Sequence, residues 1–152
     1  MTVRAYYRSD LALSQLETAL RLFAKGNDFA SVITLAGAAD EVFGKFLAAK
    51  GQENSLESLK RSVGEIHMKL YGEPTPPKQI ADRANRARNF LKHWDEGDSE
   101  IVKLDLGVEA CDLLYRAIDN YSALEAKLTP AMAAFQRAQI GAQPIIPGDA
   151  SR

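Results

Sequence analysis

Apolar residues recur every three or four positions along this 152-residue chain, in runs broken by glycine and proline, and that pattern restricts its fold most. Leu13, Leu16, Leu20 and Phe23 carry a helical stripe from about Leu11 to Lys25, preceded by the cap-type residues Ser9 and Asp10 and ended by Gly26. A second helix is predicted from Phe29 to Lys50, closed by Gly51. A third runs from Leu56 to Tyr71, capped by Ser55 and closed by Gly72. Pro74, Pro76 and Pro77 exclude helix between Glu73 and Pro77, because proline lacks a donor and pushes the preceding residue extended. A fourth helix follows over Lys78–Trp94 and a fifth over Leu104–Leu128. Thr129-Pro130 then supplies a cap and an N1 proline for a short helix ending near Gln139. No segment alternates as a strand does. The expected fold is all-α: an up-and-down bundle of about five helices plus a short C-terminal helix. It occupies residues 1–140, with 141–152, which hold two prolines and two glycines, as a flexible tail.

Composition narrows the function. Hydrophobic residues make up 46% and charged residues 26%, enough apolar surface to exclude a disordered chain. The net charge of −1 excludes a globally basic nucleic-acid coat but leaves room for a local patch. One cysteine, Cys111, forms no intrachain disulfide, which suits a reducing compartment. No apolar run approaches the roughly 18 residues of a membrane span. Met1–Asp10 holds Arg4, Arg8 and Asp10 and lacks the core of a signal peptide. The expected location is cytoplasmic, with no membrane partner.

The second helix is the most apolar. Ile33, Ala36, Phe43 and Leu47 share one stripe, which Asp40 interrupts. Either the helix is rotated so that Asp40 sits at the core rim, or the carboxylate is buried and requires a cation from another helix. The expected partner is Arg88 or, failing that, Arg86.

The fourth helix divides into two surfaces. Ile80, Ala84, Ala87 and Leu91 form a core stripe. Asp82, Arg86, Asn89 and His93 form a polar row, with Arg88 beside it. Residues 78–94 hold five basic side chains against one acid, whereas 95–112 hold seven acids and one lysine. From charge alone, a solvated face is the commoner explanation of such a row.

Within that row, Arg88-Asn89-Phe90-Leu91-Lys92-His93 resembles the signature of the HEPN superfamily: an arginine, a polar residue directly after it, and a histidine after four intervening residues. Leu35–Glu41, with its acid, is similar to the second helix of such proteins, and the resemblance covers about Leu11–Leu128. It implies an all-α domain, a homodimer, and a metal-independent endoribonuclease acting on RNA. Arg88 and His93 would be catalytic, with Asn89, Asp40 and Arg86 supporting them. No cofactor and no metal is implied. A toxin of this kind would meet an antitoxin or another protein partner. In members controlled by tyrosine modification, the tyrosine stands two residues after the histidine. Here Trp94 and Asp95 follow His93, so that control is not available.

The residue types suit the chemistry. Histidine exchanges protons near neutral pH, and arginine offers planar paired donors to phosphate. Five residues of regular helix separate Arg88 and His93 by about 140°, so arginine's reach, a loosened helix end or a second copy must bring them together. Two other readings stay open. One is a non-catalytic helical dimerisation or partner-binding module; the other is a small-ligand binder between helices. His67 is expected to be structural or surface-exposed, Cys111 to behave as a small hydrophobe, and Tyr6 and Tyr7 to cover a core edge.

Overall fold

The computed structural model describes residues 2–142, and every regular element among them is an α-helix. α1 spans Arg8–Ala24, α2 Phe29–Ala49, α3 Ser55–Tyr71, α4 Pro77–Ala84, α5 Arg86–Lys92, α6 Leu106–Glu125 and α7 Pro130–Ala142. The expected all-α bundle is therefore present, with the fourth helix divided in two. No described helix is long and apolar enough to cross a membrane. The predicted tail begins inside α7 at Gly141, and residues 143–152 lie outside the described residues.

The ends follow local chemistry, with small shifts from expectation. α1 begins at Arg8, so Ser9 and Asp10 lie inside its first turn, where Asp10 meets the positive end of the helix dipole. Asp28 caps α2 in the left-handed conformation (φ 54°), its Oδ1 accepting from the Ser31 N–H at 3.2 Å. The cap of α3 is Asn54, one residue before the expected Ser55, and accepts from Glu57 N–H at 3.0 Å. Gly72 closes α3 at φ 72°, a conformation costly for a residue bearing a Cβ. Asp105 caps α6 through bonds from the Gly107 and Val108 N–H groups.

α2 is central, as its sequence predicts. It buries Val32, Ile33, Ala36, Ala39, Phe43 and Leu47 against α1 and α6. α6 answers with Leu113, Leu114, Ala117, Ile118 and Tyr121; the Tyr121 ring meets Phe43 edge-on at 5.4 Å. α7 closes the far side by placing Phe135 against Phe23 and Tyr115. α3 and α4 form a peripheral hairpin. α3 buries no residue completely, and α4 buries only Ile80. The α3 stripe Leu56, Leu59 and Val63 is half-buried, but its continuation through Ile66 and Leu70 is exposed. Tyr6 and Tyr7 are 66% and 79% exposed, so they cover no core edge.

Candidate functional site

The predicted single helix over Lys78–Trp94 is interrupted at Asn85 (φ −107°, ψ 5°) and ends at Lys92. The break has a specific cause. Nη1 of Arg116, from α6, donates both to the Ala84 carbonyl and to Asn85 Oδ1, each at 3.0 Å. Arg116 thereby satisfies a carbonyl at the end of α4, where the helix has no donor of its own. The expected core stripe is kept across the break and fails at its far end. Ile80 and Ala87 remain buried, whereas Leu91 is 40% exposed.

The cation that neutralises Asp40 is also Arg116, neither Arg88 nor Arg86. Its Nη2 donates to Asp40 Oδ2 at 2.5 Å, and the two side chains are only 9% and 5% exposed. Asn120, one turn further along α6, donates to Asp40 Oδ1 at 2.9 Å, and its own Oδ1 accepts from the Ser55 N–H at 2.7 Å. One buried carboxylate on α2 thus ties together α6, the start of α3 and the α4–α5 junction. Burial pushes Asp40 above the usual carboxylate range, outweighing the pull of Arg116 and the weaker pull of Arg88.

Arg88, expected beside the polar row, turns inward. Its side chain is 19% exposed, lies 3.6 Å from Glu41 Oε2 through Nη1, and has an Nε buried without a partner among the described residues. The stem runs across Gly37: a Cβ there would stand 2.6 Å from Arg88 Cδ, so glycine is what leaves room for it. Glu41 is held mainly by Lys45 at 2.6 Å, whose hydrogen bond lowers its carboxyl; Arg88 makes a smaller contribution. A cavity of about 220 Å³ lies alongside, lined among others by Asp40, Glu41, Asn54, Asn85, Arg88 and Arg116.

His93 is in a different setting. The chain has already left α5 there (φ −128°, ψ 138°), the residue is exposed, and its N–H donates to the Asn89 carbonyl at 2.9 Å. Asn89 is exposed as well. Arg86 is exposed and donates from Nη2 to the Lys103 carbonyl at 2.9 Å, pinning the loop that returns to α6. Trp94, the sole tryptophan, is 62% exposed. Arg88, Asp40 and Glu41 are thus gathered at one place, while His93 and Asn89 stand outside it. Among the described residues no hydrogen bond joins Arg88 to His93.

Arg116 and Asn120 were not singled out by the sequence reading. They stand four apart amid the apolar run Leu113–Tyr121, the same kind of interruption that drew attention to Asp40. His67 is held structurally, with Nδ1 2.8 Å from the Glu73 carbonyl and its ring against Tyr71. Cys111 is half-buried, and burial raises its thiol above the ordinary range. Compared with family models, curated proteins and solved structures, the chain shows no significant match to any.

Proposed function

We propose that this chain is a metal-independent endoribonuclease of the HEPN type, working in the cytoplasm as a homodimer, either as a toxin or in RNA processing. The observation that supports this most is the exposed His93 at the end of the basic helix α5, five residues after an arginine whose guanidinium, among the described residues, is held by one loose ion pair. In the reaction, a histidine base takes the proton of a ribose 2′-hydroxyl, and that oxygen attacks the adjacent phosphorus. The bond to the 5′-oxygen breaks as a protonated histidine returns a proton to it. Arg88 stabilises the charge on the phosphate oxygens. Because Arg88 and His93 face apart in one chain, a complete site needs Arg88 to swing or a second motif to approach. A two-fold dimer pairing two α5 helices supplies the latter. An antitoxin or other protein partner belongs to the toxin form of this reading.

Incubation of RNA with purified protein in excess chelator tests it. Cleavage by the wild type, with products ending in 2′,3′-cyclic phosphate or its hydrolysed form, and none by His93→Ala, is the expected result. DNA, lacking the 2′-hydroxyl, should remain intact. Equal cleavage by both proteins identifies a contaminant and removes the enzymatic reading. The inward turn of Arg88 favours a second reading, in which the scaffold is a non-catalytic dimerisation or partner-binding module. No cleavage by a dimeric wild type would select that alternative. A monomer at micromolar concentration by light scattering, with cleavage intact, would eliminate the paired site.

A further inference from the structure

Two separate features turn Arg88 inward. The first is the break at Ala84–Asn85. A continuous helix would keep Ala84, Ala87 and Leu91 on one face, with Arg88 beside the polar row. Past the actual break Ala87 is buried, and Arg88 lies across Gly37 and beside Glu41 of α2. Arg116 holds that break by donating to Ala84 and Asn85 while its other nitrogen is fixed on Asp40. The second feature is the slot at Gly37, which a single methyl would obstruct at both Cγ and Cδ of Arg88. The seat so formed is incomplete. Among the described residues it leaves the Nε without an acceptor and gives the guanidinium only Glu41 at 3.6 Å. A buried donor left unsatisfied is unfavourable, so Arg88 is a side chain with something to gain from a better anion.

We propose that Arg116 is a positioning residue: it sets the direction of α5, seats Arg88 on Gly37 and Glu41, and so holds the motif arginine off the outer face until a phosphate draws it out. The phosphate contact rests on the function proposed above; the seat itself does not. Glu41 is the counter-ion that Arg88 exchanges for the phosphodiester. Arg116 touches no substrate and acts only through the α4–α5 junction.

Modification by an arginine-specific dicarbonyl reagent, read peptide by peptide by mass spectrometry, measures the seat directly. In the wild type Arg88 should react several-fold more slowly than the exposed Arg83. Two variants disturb the seat from opposite sides. Arg116→Lys keeps a charge near Asp40, but an ammonium cannot bridge Asp40, Ala84 and Asn85 as the planar fork does. Gly37→Ala obstructs the slot and leaves the Asp40–Arg116 pair in place, so it remains informative should the Arg116 variant fold poorly. Both should raise Arg88 modification several-fold with Arg83 unchanged. Wild-type Arg88 reacting as fast as Arg83, or no change in Gly37→Ala or in a folded Arg116→Lys, would overturn the proposal. With RNA, Gly37→Ala should lower KM, because the arginine no longer has to leave its seat; an unchanged or higher KM overturns the holding role. If no variant and no wild type cleaves RNA, the ribonuclease reading fails while the modification result stands independently.

Discussion

Removing the Asp40 carboxylate should be among the most damaging single changes available in this fold. Asp40→Ala leaves Arg116 buried, charged and bonded only to the neutral oxygens of Ala84 and Asn85. It also deprives Asn120 of an acceptor. Breaking a buried pair from one side costs about 3–5 kcal/mol, and with both side chains more than nine-tenths buried no discount for solvent screening applies. For a chain of this size each kcal/mol moves the midpoint by roughly 2–4 °C, so the variant should melt about 6–20 °C lower. The opposite case distinguishes a costly orphan charge from a strongly stabilising pair. Burial already pushes Asp40 up against the pull of Arg116, so the net gain from the pair is small. Asp40→Leu combined with Arg116→Met should therefore fall short of the summed single losses, by an interaction energy of roughly 0.5–3 kcal/mol. Urea denaturation followed by far-ultraviolet circular dichroism on Asp40→Ala and the four proteins of that cycle gives the numbers. An Asp40→Ala variant within about 1 kcal/mol of wild type, or strict additivity in the cycle, would refute the assignment of Arg116 as the partner.

Asp40, Glu109, Asp112 and Asp119 all have carboxyls raised by burial. Between the ordinary carboxylate range and those raised values the folded chain binds more protons than the unfolded one, so stability should rise as pH falls toward that range. Glu41, lowered by Lys45, acts in the opposite direction only nearer its unfolded value of 4.5. The melting temperature should thus be higher at pH 5.5 than at pH 7.5, and a melting temperature that drops as the pH is lowered from 7.5 to 5.5 would contradict the burial of these groups. Asn54→Ala should cost about 1 kcal/mol through loss of its cap, with faster amide exchange confined largely to α3. Uniform acceleration through α2 and α6 would show that the cap serves the whole molecule. Cys111 should react with thiol reagents at pH 8 more slowly than free cysteine, given its burial and raised thiol. Reaction at the free rate would place it on the surface.

The helices were legible because each carries its own punctuation. Gly26, Gly51 and Gly72 stand at left-handed turns, and Pro77 and Pro130 open the helices that follow. The central place of α2 was legible from its long apolar face, and Asp40 stood out as the exception on it. What could not be read was the partner of Asp40, since Arg86 and Arg88 on α5 and Arg116 on α6 are equivalent in charge. Only tertiary packing distinguishes them. The break at Asn85 was hidden for the same reason. Asn85 is an ordinary residue within a periodic segment, and the donor that relieves Ala84 comes from 32 positions away. The Arg88–His93 spacing identified a motif but not its direction, because the helix ends at Lys92, before the histidine.

The α3–α4 hairpin has a different standing from the rest of the chain. It buries one residue completely, and at each end it is fastened by a side chain from α6: Asn120 at Ser55 and Arg116 at Ala84. A segment so fastened opens at a free energy below that of the whole fold. Limited proteolysis should therefore cut first between residues 55 and 84 and leave α1, α2, α6 and α7 packed, and loop extensions near Glu73 should be accommodated where insertions into α2 are not.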